Sequence, residues 1–275
     1  MRLFAFILIM LFAWTRAWAQ STLTQNLSAA KPPQFSGNFG LGYNSNLYEP
    51  STKSNAFKSS ASGDLTVNYR VKDANLIRAY FGGFKEFTGA ERWKANDGFV
   101  GWVNNRFWAR NERYSLGQQV RLLIPYSTES RKRDSRIGGV SVVPVASVVL
   151  APTLTFIYQP QLIRNFHTYT VNKVNENNTQ WAVNQTAVLS WSMLEKLYLQ
   201  AVYVHGMAWS YRGAKKDDVF QVGGELGYSL TSALTMAAGW NNSGAVRAYE
   251  NGNDQTVRVF NKNTSTVYAA LYWIF

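Results

Sequence analysis

The chain has 275 residues, a formal net charge of +12, no cysteine and a mean hydropathy of −0.21. That length allows one large domain or two small ones. The missing thiols exclude disulfide staples, cysteine metal sites, cysteine nucleophiles and a lipid-modified N-terminal cysteine.

Residues 1–19 open with Met1-Arg2, run through a short apolar stretch over 3–14 and end Ala17-Trp18-Ala19. A charged start, a brief apolar core and an Ala-x-Ala ending are the parts of a secretory signal peptide. The apolar run falls short of the roughly 20 residues that a membrane helix needs. Cleavage is expected after Ala19, and removing Arg2 and Arg16 lowers the charge to +10. A basic exported chain meets lipid phosphates and anionic solutes rather than nucleic acid. Residues 20–35 are polar and carry Lys31-Pro32-Pro33, which reads as an N-terminal periplasmic tail. From 36 to 275 the pattern has period two, the signature of strands buried on one face.

The segment 61–71 places Leu65, Val67, Tyr69 and Val71 on one face, and Asp64, Thr66, Asn68 and Arg70 on the other. A tight turn at 72–74 brings back Ile77, Ala79 and Phe81, so Tyr69 should oppose Ile77 and Asn68 should oppose Arg78. Further strands are expected at 37–46, 98–104, 114–125, 136–150 and 153–164. Pro144 and Pro160 fall close together across the turn at 151, which predicts one shared bulge or an early end of pairing. A third hairpin joins 181–191 to 197–203. A fourth joins 220–230 to 234–240, with Gly224 facing Trp240 and Glu225 facing Gly239. The last strand is 266–275. That makes twelve strands, joined by short connections at 72–74, 105–113, 151–152, 192–196 and 231–233. Long polar connections lie at 47–57, 88–96, 126–135, 166–178, 207–217 and 242–264. Long loops all on one end and both termini on the other predict an all-β fold. The expected form is an antiparallel up-and-down transmembrane β-barrel over 36–275.

The C-terminal strand has Val267, Ala269, Leu271, Trp273 and Phe275 at alternating positions. A terminal aromatic behind such a pattern resembles the C-terminal signature of Gram-negative outer-membrane barrel proteins. The resemblance implies that barrel assembly machinery recognises this strand through Val267, Leu271, Trp273 and Phe275. Ala269 is smaller than the usual occupant. Trp102, Trp181, Trp191, Trp209, Trp240 and Trp273 sit in or beside strand ends, as an aromatic girdle requires.

Strand parity turns Asp64, Arg70, Arg78, Arg121, Glu225, Tyr268 and Tyr272 inward, with Thr66, Asn68 and Gln119 among them. A polar lining with excess arginine predicts a narrow water-filled path for small solutes with a mild anion preference. The alternatives are a non-conducting barrel that binds at the surface or is structural, and an outer-membrane lipid hydrolase. The outer-membrane phospholipase family carries a His-x-Ser pair. Here His167 is followed by Thr168-Tyr169 and His205 by Gly206-Met207, so that motif is absent and no catalytic residue is assigned. No cofactor and no metal site is expected; the oxygen-rich 251–254 is read as a loop tip. Arg131, Lys132, Arg133 and Arg136 form the densest cationic cluster, on the long-loop side, suited to lipopolysaccharide phosphates.

Overall fold

The structure is a computed structural model and describes residues 34–47, 58–72, 74–88, 92–111, 113–246, 259–260 and 265–275. The expected signal peptide, most of the N-terminal tail and the loop tip 251–254 lie outside the described residues. Thirteen strand segments follow in chain order: β1 (Phe35–Asn46), β2 (Ser59–Lys72), β3 (Asn75–Glu86), β4 (Trp93–Ala95), β5 (Gly98–Arg110), β6 (Tyr114–Ile124) and β7 (Arg136–Ala151). Then come β8 (Leu154–His167), β9 (Thr179–Leu194), β10 (Leu197–Ser210), β11 (Val219–Ser229), β12 (Leu234–Ala245) and β13 (Thr266–Ile274).

Each strand pairs antiparallel with its neighbours, and β1 pairs with β13, from Asn38↔Ile274 to Asn46↔Thr266. The sheet therefore closes on itself. Segments β4 and β5 share one place in the wall, both lying on β3, so the barrel has twelve strands. Closure is what the outward face demands. Phe39, Leu41, Ile77, Phe81, Leu122, Leu162, Leu189, Leu226 and Leu271 all stand exposed on it. In hydrocarbon an unpaired backbone group costs several kcal/mol, so such a wall has no free edge.

The predicted hairpin registers are present: Tyr69↔Ile77 and Asn68↔Arg78 in β2–β3, Gly224↔Trp240 and Glu225↔Gly239 in β11–β12. The Trp240 ring covers the bare Gly224, its Nε1 lying 3.3 Å from where a Cβ would be.

Two expectations change. The connection expected at 105–113 is mostly strand: β5 runs on to Arg110, leaving a turn of three residues. Its register breaks between Asn104↔Gln118 and Trp108↔Leu116, so extra β5 residues bulge out and the period of two is lost there. Gly117 is the reason that the bulge fits, because a Cβ on it would sit 2.7 Å from the Asn105 carbonyl oxygen. The second change concerns the prolines. Pairing lapses between Val142↔Leu162 and Ala146↔Tyr158, as an interruption at the prolines implies, but it resumes in the same register with no bulge and does not end there. Pro144 and Pro160 lie level, so the missing N–H groups fall on one rung and neither strand has to slip. The outer ladders continue past both, at Gln118↔Pro144 and Pro160↔Gln185.

At the long-loop end, the loop between β6 and β7 is pinned. Buried Asp97, between β4 and β5, accepts hydrogen bonds from the Ser127 N–H (3.0 Å), the Ser130 hydroxyl (2.5 Å) and Arg136 Nη1 (3.2 Å). A single π-helical turn, Glu129–Arg133, follows. The next loop is tied to it through Asn178 Nδ2, which donates to the Asp134 and Tyr169 carbonyls, and through the Lys173 N–H, which donates to the Arg133 carbonyl.

Candidate functional site: the inner wall of the barrel

Inward positions are even on β1–β3, β9, β10 and β13, and odd on β5–β8, β11 and β12, as the alternation of buried and exposed residues shows. The sequence-predicted residues Asp64, Arg70, Arg78, Arg121, Glu225, Tyr268 and Tyr272 all fall on these positions. They do not form one cluster. They divide between two arcs of the wall.

The first arc is cationic and spans β2 to β6. Arg78 is buried, and its Nε donates to Asn68 Oδ1 at 2.7 Å. Arg121 is also buried; its Nε donates to Gln119 Oε1 at 2.7 Å, and its guanidinium lies 4.6 Å from the Phe99 ring centre. The two arginines share one row of the sheet, Asn68↔Arg78↔Gly101↔Arg121↔Ser141. Gly101 stands between them, and a Cβ there would lie 3.1 Å from Arg121 Cγ and 2.5 Å from the Val120 carbonyl oxygen. The absence of a side chain leaves the row free for the long cations. The Nε of each donates to a neutral amide oxygen, which fixes the direction of the guanidinium. Arg70 lies half-buried nearer the short-turn end, opposite Leu76. Asp64 lies opposite Gly40 and Gly82, and its Oδ1 would be 2.8 Å from a Cβ on Gly40.

The second arc spans β10 to β13 and is built around buried Glu225. One carboxylate oxygen accepts from the Tyr198 hydroxyl (2.8 Å), and the other accepts from Tyr268 (3.0 Å) and Tyr272 (3.2 Å). Glycines make this geometry possible. Tyr268 lies on the same row as Glu225 with Gly239 between them, and a Cβ on Gly239 would fall 2.4 Å from Tyr268 Cζ. Tyr198 lies opposite Gly227, where a Cβ would fall 2.1 Å from its Cζ. Parity identified Tyr268 and Tyr272 as inward, but not their common acceptor. It missed Tyr198 altogether, although Gly227 opposite it was the available signal. Between the two arcs, Val143, Val145, Ile157 and Val188 form an apolar strip with Val202.

The other singled-out residues lie elsewhere. Val267, Leu271, Trp273 and Phe275 project outward, all exposed, and the Phe275 and Gly37 backbones exchange hydrogen bonds of 3.1 and 2.8 Å at the seam. Trp102, Trp181 and Trp191 stand exposed on the outer face. Arg131 and Lys132 are exposed. Arg133 instead grips Asp134 through Nε and Nη2, at 2.7 and 3.0 Å, and that hydrogen bonding raises its pKa above the ordinary arginine value. Arg136 is turned onto Asp97. His167 Nδ1 lies 3.2 Å from the Tyr211 hydroxyl, and His205 Nε2 lies 3.5 Å from Asp218. Among the described residues no three His, Asp or Glu side chains gather as a metal site.

A closed twelve-stranded wall, apolar outside and polar or charged over much of its inside, with long loops at one end, defines an outer-membrane β-barrel of porin-like architecture. The sequence matches no family model and no curated protein. Solved structures do match in fold. The COG4313 outer membrane channel from Pseudomonas putida F1 superposes with a TM-score of 0.61 at 12% identity, over 91% of this chain and 98% of that one. The NanC porin gives 0.57 at 11% identity, over 87% and 99%. The KdgM porin, in complex with disordered oligogalacturonate, gives 0.50 at 7% identity, over the same shares.

Proposed function

We propose that this barrel is a diffusion channel for small polar solutes with a preference for anions. The observation that carries the reading is the row Arg78–Gly101–Arg121 on the inner wall, two guanidiniums oriented by amide oxygens. A fixed cationic arc raises the local concentration of anions along the path and lowers that of cations. The fold it shares with the NanC porin and the COG4313 channel supports a role in passage rather than chemistry. In this reading residues 1–19 direct export and are removed. Val267, Leu271, Trp273 and Phe275 present an outward-facing strand to the assembly machinery, and Arg131 and Lys132 remain as loop cations for lipopolysaccharide. The experiment is single-channel recording of the purified barrel in a planar bilayer under a salt gradient. Discrete conductance steps with a reversal potential on the anion side are expected. A silent bilayer overturns the channel.

A second reading, a barrel that binds or stabilises without conducting, is supported by how densely the inner face is filled: Gln119, Ser141, Val103 and Tyr80 are all at most 1% exposed. The same recording separates the two.

A further inference from the structure

Charged side chains are rare on the outward face of the wall, so each one needs a reason. On β8 the outward positions are Leu154, Phe156, Tyr158, Pro160, Leu162, Arg164 and Phe166. Arg164 alone among them is charged. Its guanidinium lies 4.5 Å from the Trp181 ring centre on β9 and 5.9 Å from that of Tyr211. No carboxylate among the described residues pairs with it. On β3 the outward charge is Lys85, whose Nζ lies 5.7 Å from the Phe87 ring centre and 5.9 Å from that of Trp93. It too has no carboxylate partner among the described residues.

Height decides what these cations meet. Arg164 is ten residues along β8 from Leu154, and Lys85 is ten along β3 from Asn75. A strand rises about 3.4 Å per residue and tilts about 40° in such a barrel, so each cation stands roughly 26 Å above the short-turn end. The apolar band of these barrels is about 25 Å tall. Both cations therefore lie at the upper edge of the band, on the long-loop side, at the level of the outer leaflet's head groups. A cation on the lipid face costs about 2–4 kcal/mol at the midplane but only about 0–1 kcal/mol at the interface.

We infer that Arg164, braced by Trp181 and Tyr211, is the seat of a phosphate of lipid A in the outer leaflet, with Lys85 a second, weaker seat. A guanidinium meets two phosphate oxygens at once, whereas an ammonium acts as a point charge. The Trp181 and Tyr211 rings beside it restrict where the guanidinium can sit. Two of the four loop cations, Arg133 and Arg136, are already held by Asp134 and Asp97, whereas no acid among the described residues holds Arg164. The inference rests on the wall being membrane-embedded with its long loops outward, and not on channel activity. A silent bilayer leaves it standing.

The test is native mass spectrometry of the full barrel in detergent, titrated with diphosphoryl lipid A, its dephosphorylated form and phosphatidylglycerol. Wild type should retain diphosphoryl lipid A, and Arg164→Gln should reduce that retention about tenfold, Lys85→Gln about threefold. Heat-modifiable gel mobility reports whether each variant is folded. If Arg164→Gln misfolds, Arg164→Lys keeps the charge without the fork and should still bind several-fold more weakly. Equal retention by folded Arg164→Gln overturns the seat, as does a loss confined to an Arg131→Gln/Lys132→Gln variant. Equal binding of the dephosphorylated lipid excludes the phosphate, and equal binding of phosphatidylglycerol excludes lipid A as its source.

Discussion

The two charged arcs of the inner wall solve opposite problems with the same device, a glycine beside a long side chain. On β2–β6, Gly101 clears space between Arg78 and Arg121, and the amide oxygens of Asn68 and Gln119 aim the two guanidiniums. On β10–β13, Gly239 and Gly227 let Tyr268 and Tyr198 lie flat, and three phenols converge on Glu225. A carboxylate that accepts three hydroxyl hydrogen bonds is tied across β10, β11 and β13, so its charge serves cohesion. In the proposed reading the arginine arc turns its charge toward the path, while the tyrosine arc uses its own to hold the wall.

That contrast can be broken by substitution. The largest effect is expected for Glu225→Ala, which removes the acceptor shared by three phenols. It should lower the unfolding free energy by about 3–5 kcal/mol, read by urea titration of the folded, gel-shifted form. Gly227→Ala comes next, because its Cβ would collide with the Tyr198 ring. A loss of about 1–3 kcal/mol is expected in the same assay. The double variant Arg78→Gln/Arg121→Gln should leave stability nearly intact and shift selectivity. Two charges near the path attract a passing anion and repel a passing cation by about 1 kcal/mol each in water, so the anion-to-cation permeability ratio should fall about thirtyfold, measured as reversal potential. If stability falls instead, the arginines belong with the structural arc. The smallest effect belongs to Tyr272→Phe, which deletes one of Glu225's three hydrogen bonds and should cost about 1 kcal/mol.

Much of the wall was legible in the sequence because tight turns fix register and a lipid-facing side enforces parity. The pairings Tyr69↔Ile77 and Glu225↔Gly239 follow from those two constraints alone. Where the period failed, legibility failed with it. Phe107 and Trp108 are consecutive and both exposed, because the β5 bulge turns successive side chains outward, so that stretch reads as loop. Pro144 and Pro160 were legible as interruptions lying close together across the turn, but not as lying level, since a small change of turn register decides whether two defects land on one rung. The inner site was half legible. Parity says which side of the sheet a residue takes, but not its height. The Glu225 network joins residues 27, 43 and 47 positions apart, a convergence that depends on the stagger of β10–β13.

The seam between β1 and β13 has a kinetic meaning. Asn38 pairs with Ile274, and Gly37 with Phe275, so the bonds that close the cylinder join its most distant residues. Loop-closure entropy makes such pairings late. Until they form, β1 and β13 each present a row of unsatisfied amides to any strand nearby, the state most exposed to mispairing and aggregation. Every other strand can find its neighbour locally through a hairpin. The barrel is thus a chain of quick hairpins waiting on one slow join.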